Sequence, residues 1–133
     1  MLEGLDVQTA VGDLLDAGSL LEAMRGCDVV FHAAGYYPLH SLDLSGSLRT
    51  AVSGMRCVLN AAQEAGVGRL VYTSTLTTIG PPGQEGRLAD ERDFYLPGST
   101  SSAYFEDKWA MEAEAWRAVA QGLPVIIVNP TAV

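Results

Sequence analysis

Basic side chains are scarce in this sequence. Eight lysines and arginines face sixteen aspartates and glutamates, for a net charge of −8, and the only lysine is Lys108. The arginines stand singly, so no basic run exists to follow a phosphate backbone or an anionic bilayer. Nucleic acid and membrane surfaces are therefore not expected partners. Cysteine is scarce as well. Cys27 and Cys57 lack metal-ligand spacing, have apolar neighbours and read as reduced core residues of a cytoplasmic protein. No apolar run approaches the ~20 residues a membrane helix needs, and the first residues lack the pattern of a secretory leader. Internal repeats and low-complexity tracts are also missing. What is present is a 48% hydrophobic chain of 133 residues, enough for one core-forming domain over 1–133.

Val7, Thr9 and Val11 in "LDVQTAVGDL" alternate with less apolar neighbours and predict a strand. Asp16 then caps a short helix that Gly26 stops. "DVVFHAA" is apolar on both faces, as expected of a strand between two helical layers. Leu44, Leu48, Val52, Met55, Leu59 and Ala62 recur every three or four residues, predicting a helix that Gly66 ends. "RLVYTST" is the next strand. The twenty-odd residues from "IGPPGQEG" to "LPGS" have no period and read as a lid loop. Ser101 or Ser102 then opens a helix to about Gln121, and "PVIIVNP" closes as a strand. Strand and helix alternate throughout. The expected class is α/β, a doubly wound parallel sheet of Rossmann-like type.

The chemistry concentrates in "SSAYFEDKWAMEAEAW". Four residues turn a helix by about 400°, so Tyr104 and Lys108 project from one face. An ammonium beside a phenol stabilises the phenolate, which fits such a tyrosine to give or take a proton near neutral pH. In an open parallel sheet, ligands bind outside the carboxyl ends of the strands. "VYTST" puts Thr73, Ser74 and Thr75 at such an end, and a hydroxyl there can hold a substrate oxygen. "HAAG" ends another strand with small residues that admit a flat ligand close to the backbone.

In order along the chain, these segments resemble the extended short-chain dehydrogenase/reductase family, the NAD-dependent epimerase/dehydratase group. "VGDLLDAGSL" is similar to the segment whose Asp, here Asp13, reaches the adenine, with Leu14 beside it. Ala33, Ala34 and Gly35 match residues lining the dinucleotide, with Thr73 and Ser74 at the next strand end. "RLVYTSTLTTIG" is similar to the serine motif, with Thr75 at the catalytic hydroxyl. Tyr104 and Lys108 match the Tyr-x-x-x-Lys pair, and Glu112 stands where the family often has an acidic residue. In "VIIVNPTAV", Pro130 matches the residue bordering the nicotinamide and Asn129 one that faces substrate. "VNPTAV" and "VYTST" look most like dihydroflavonol-reductase-like and sugar-epimerase-like members.

The resemblance implies NAD or NADP as cofactor and hydride transfer to or from a small-molecule substrate, a sugar nucleotide or a hydroxy or keto compound. Catalysis would fall to Thr75, Tyr104 and Lys108, with Tyr104 and Lys108 also touching cofactor and Thr75 and Asn129 touching substrate. No metal is expected. Two positions depart from the family: Ala51 replaces an Asn, and Asp107 replaces the Ser before the lysine. The glycine-rich phosphate turn that opens the family's fold has no counterpart. Gly80, Gly83 and Gly86 space like one, but Pro81 and Pro82 have no N–H to donate and no helix follows. The chain thus reads as the central segment of such an enzyme, an incomplete domain. By itself it is expected to bind dinucleotide weakly, to be inactive and to self-associate as a homodimer. The competing reading is a non-catalytic Rossmann-like binding or regulatory protein, or an inactive remnant.

Overall fold

The computed structural model describes residues 4–36 and 43–131. Helix α1 (Ala17–Met24) leads into strand β1 (Val29–His32), helix α2 (Leu44–Glu64) and strand β2 (Arg69–Thr73). A 3-10 turn (Leu76–Thr78), helix α3 (Ala103–Ala120) and strand β3 (Val125–Val128) complete the order. The caps follow the sequence. Asp16 Oδ1 accepts from the N–H groups of Gly18 (3.0 Å) and Ser19 (3.2 Å), holding the first turn of α1. Gly66, at φ +71°, takes the left-handed conformation after α2 that a side chain would resist.

The three strands are parallel in the order β1-β2-β3, with Val29 opposite Arg69 and Leu70 opposite Val125. The expected α/β, Rossmann-like class is therefore observed. Both crossovers step in the same direction across the sheet, and right-handed connections then put α2 and α3 on one face. There α2 packs against both α1 and α3. Met55, Val58, Leu59 and Ala62 from α2, Leu70 and Tyr72 from β2, and Met111 and Ala115 from α3 fill the layer between. Fully burying a side chain such as Leu59 or Leu70 contributes about 1.5–3 kcal/mol.

The opposite sheet face differs from expectation. Phe31 is 74% exposed, and Val29, Ile126 and Val128 are exposed beside it, so among the described residues only one helical layer covers the sheet. Their apolar character still marks strands suited to cover on both sides. The strand expected around Val7–Val11 is not formed either. Val11 is 99% exposed, and alternation alone cannot make a strand where no described neighbour offers a hydrogen-bonding ladder. The cysteines also differ. Cys27 is exposed because it follows the turn at Gly26, and Cys57 is half-buried on α2; both are free thiols.

The segment between the 3-10 turn and α3 is tied to itself. Ile79 and Phe94 form an antiparallel bridge, and a Cβ on Gly80 would collide with the Phe94 carbonyl. Arg87 pairs with Asp93 and, at 3.3 Å, with Asp90, while Arg92 pairs with Asp90 at 2.6 Å. Glu106, in the first turn of α3, accepts from the Tyr95 hydroxyl and the Gly98 N–H, both at 2.7 Å. No helix follows Gly80–Gly86 before α3, in keeping with its rejection as a phosphate turn.

Candidate active site

A helix that links two parallel strands runs antiparallel to them. The first turn of α3 therefore stands at the carboxyl ends of β1 and β2, where open α/β sheets bind ligands. Tyr104 and Lys108 occupy this turn and the next. The Lys108 Nζ lies over the Tyr104 ring, 5.8 Å from its centroid. Lys108 is 2% exposed, and its neighbour Asp107 is 1% exposed. Burial pushes the Lys108 ammonium below its ordinary pKa, against the opposing pull of the Asp107 carboxylate. Asp107 is pushed upward, mainly by burial, with a hydrogen bond from the Ser47 hydroxyl on α2 opposing the shift. Its Oδ1 has no hydrogen-bond partner among the described residues.

Beyond β2, Ser74 and Thr75 are buried and Thr73 is half-buried. Thr75 caps the 3-10 turn, its hydroxyl oxygen accepting from the Thr77 N–H (3.3 Å) and hydroxyl (3.4 Å). In these contacts the Thr75 oxygen only accepts, which leaves its own O–H available to donate. Ser74 is differently placed. Its hydroxyl donates to Glu112 Oε2 on α3 at 2.6 Å. Asn129, expected to face substrate, places Nδ2 within hydrogen-bond distance of Glu112 Oε2 (3.1 Å), Thr78 Oγ1 (2.8 Å) and the Thr75 carbonyl (3.1 Å), which share its two hydrogens. Pro130 is exposed beyond β3 and accepts from the Leu76 N–H at 3.1 Å.

A cavity of about 430 Å³ opens between α2 and the end of β1, its lining including Asp13, Leu14, His32, Gly35, Ala51, Met55 and Met111. It brings together three of the residues matched to the dinucleotide, Asp13, Leu14 and Gly35. Thr75, Tyr104 and Pro130 do not line it, and Ala33 and Ala34 are exposed beside it. Asp13 is exposed, with Oδ1 accepting from the Leu15 N–H at 2.8 Å. Ala51, where the family has Asn, is a buried part of the wall.

His32 is the group that pattern reading passed over. It is 6% exposed, stacks on Tyr72 with centroids 5.5 Å apart, and its Nε2 has no partner among the described residues. Burial, aided by the Lys108 charge, lowers its pKa to about 4. A lone histidine ending an otherwise apolar strand was the available signal. Mostly apolar walls with a few polar groups suit a flat heteroaromatic ligand, so the residues present fit part of a dinucleotide.

A parallel α/β sheet with a half-buried Tyr104 and a buried Lys108 on the helix at its carboxyl end is the arrangement that the sequence shares with the reductase and epimerase class of Rossmann-like proteins. The sequence matches the 3-beta hydroxysteroid dehydrogenase/isomerase family over residues 2–123, and the chain belongs to that family. It is 40% identical over 130 residues to the "putative dihydroflavonol 4-reductase" of Synechocystis sp., covering 98% of this chain and 37% of the relative. Cinnamoyl-CoA reductase 1 of Petunia hybrida is 36% identical over 127 residues, covering 91% of this chain and 37% of the relative. Among solved structures, a double mutant of dTDP-glucose 4,6-dehydratase from Streptomyces venezuelae, with NAD bound, superposes with a TM-score of 0.69 at 30% identity. That match covers 89% of this chain and 36% of the enzyme. The chain thus spans less than two fifths of the length of these relatives.

Proposed function

We propose that this chain supplies the catalytic helix and part of the dinucleotide cleft of an NAD(P)-dependent reductase or epimerase of the extended short-chain dehydrogenase/reductase type. The observation that carries the reading is Lys108, buried with its ammonium over the Tyr104 ring at the carboxyl end of the sheet. A nearly buried lysine is costly to keep charged, and such perturbed groups cluster at functional sites. The relatives' names point to the same chemistry.

Asp13, Leu14 and Gly35 would hold the dinucleotide along the cavity, with Ala33, Ala34, Thr73, Ser74 and Pro130 at the strand ends beside it. When bound, the nicotinamide supplies or receives the hydride. Tyr104 gives its hydroxyl proton to the substrate oxygen in reduction and takes it back in oxidation. Lys108 stabilises the phenolate left behind, and the Thr75 O–H donates a hydrogen bond to the same oxygen. Asn129 would act from behind Thr75, because its amide is committed to Thr75, Thr78 and Glu112. The substrate is a small carbonyl or hydroxy compound or a sugar nucleotide.

Tyr104→Phe tests this by removing only the hydroxyl. The assay follows reduced nicotinamide by absorbance, with a dihydroflavonol, cinnamoyl-CoA or dTDP-glucose as probe, in the full-length polypeptide that carries this chain. Turnover is expected to fall by about 10²-fold or more with the fold intact. Unchanged turnover would make the pair structural and favour a non-catalytic binding protein.

A further inference from the structure

We propose that Glu112 is a positioning residue, fixing the Thr75–Ile79 turn to the helix that carries Tyr104 and Lys108; its catalytic meaning rests on the function proposed above. One carboxylate oxygen gathers three chain segments. Glu112 Oε2 accepts from Ser74 Oγ at the end of β2 (2.6 Å), Thr78 Oγ1 in the 3-10 turn (2.7 Å) and Asn129 Nδ2 at the end of β3 (3.1 Å). Two of these donors also hold Thr75. Its carbonyl accepts from Asn129 Nδ2 (3.1 Å) and lies 2.9 Å from Thr78 Oγ1, whose single hydrogen it shares with Glu112. Glu112 therefore reaches the Thr75 backbone through a single intervening side chain, by two routes.

Its place on α3 gives this arrangement a use. Glu112 lies one turn beyond Lys108 and two beyond Tyr104, about 12 Å along the axis from the latter. The same rigid element thus sets the proton-transferring phenol and, through the tether, the hydroxyl that would share its substrate oxygen. Placing reacting groups to within a fraction of an ångström is worth orders of magnitude in rate. Asn129, matched by resemblance to a substrate contact, becomes part of the tether.

The test has one arm that needs no substrate. Amide hydrogen exchange on the 133-residue chain would compare Glu112→Ala and Glu112→Gln with wild type. The reporters are Leu76, Thr78 and Ile79, whose N–H groups bond to Pro130, Thr75 and Leu76. In Glu112→Ala they are expected to exchange about tenfold faster or more, while core amides such as Leu59 and Leu70 keep their rates. Glu112→Gln, which retains a carbonyl acceptor, should recover most of the protection. In the activity arm, run in the same full-length polypeptide as the Tyr104→Phe test, kcat of Glu112→Ala should fall about tenfold or more, with KM for the reduced nicotinamide cofactor changed less than about twofold, and Glu112→Gln should again recover most of it. Unchanged exchange at the turn, or equal loosening of the core, would overturn the proposal. So would a loss confined to KM. Wild-type protein that transfers no hydride would end the functional reading, and the exchange arm alone would then decide whether Glu112 holds the turn.

Discussion

The two sides of the Tyr104–Lys108 pair handle buried polar groups in opposite ways. Toward β3, Glu112 collects three donors on one oxygen, and each of those donors belongs to a segment the carboxylate fastens. Toward α2 and β1, the buried groups fall short of partners. Asp107 has one donor, Ser47, and an Oδ1 with none among the described residues; His32 Nε2 has none either. Lys108 acts electrostatically on both. Burial drives all three toward their neutral forms: His32 and Lys108 downward, Asp107 upward. One side is built for rigidity. The other gives up stability to keep titratable groups out of water, the pattern expected where charge is to be used.

The strongest way to break this contrast is acid. His32 has a folded pKa of about 4 against an ordinary value of 6.5. Between those values the unfolded chain holds a proton that the folded chain refuses. This group's contribution to stability is therefore complete above pH 6.5 and declines as pH falls, reaching a loss of about 3 kcal/mol near pH 4. His32→Phe keeps a ring on Tyr72 and removes the titration. Denaturant unfolding at pH 7 and near pH 4 should show the variant losing about 3 kcal/mol less than wild type over that span. Matching acid limbs would show that the histidine is already protonated or solvated.

Asp107 predicts the opposite slope and a smaller effect. Its folded pKa is raised, so its contribution is fully present below the ordinary value of 3.8 and is lost as pH rises through the folded value. Asp107→Asn keeps an acceptor for Ser47 and removes the buried charge. At pH 7 the variant should be more stable by about 1–2 kcal/mol. It should also lower the Lys108 pKa further, because the carboxylate is what opposes burial there. The alkaline limb of hydride transfer would then move to lower pH. Equal stability at pH 7 would show that Asp107 is better solvated than its place between the helices implies.

How far the sequence foretold this depends on how local each feature is. The caps at Asp16 and Gly66, the helical period from Leu44 to Ala62 and the Tyr104–Lys108 spacing are set within a few residues, and each is found in place. Residues 7–11 carried the same kind of local signal but make no strand, since a strand also needs a partner. Cover on one sheet face follows from the hand and direction of the crossovers, which periodicity does not report. The Ser47–Asp107 hydrogen bond spans 60 residues and leaves no mark on either neighbourhood. Nor does a strand-end asparagine reveal that its amide turns inward. Only the folded position of Glu112 settles that.

The smallest and sharpest test makes one chemical deletion on both sides. Ser74 and Ser47 are both buried, and each donates its hydroxyl to a carboxylate of α3. Ser74→Ala leaves Glu112 Oε2 with the Thr78 and Asn129 donors, so the carboxylate remains satisfied. The expected cost is that of one ordinary hydrogen bond, about 1 kcal/mol, and constant across neutral pH. Ser47→Ala takes the only hydrogen-bond donor Asp107 has among the described residues. That hydrogen bond holds the Asp107 pKa down, so its loss raises the pKa further. The cost of this deletion should accordingly be smallest below the folded pKa of Asp107 and grow to about 2 kcal/mol as pH rises through it. Urea unfolding of the two variants, followed from acid to alkaline pH, separates the cases. Parallel behaviour of the two alanine variants would mean that Asp107 and Glu112 are equally well supported, and the contrast between the two sides of the pair would fall.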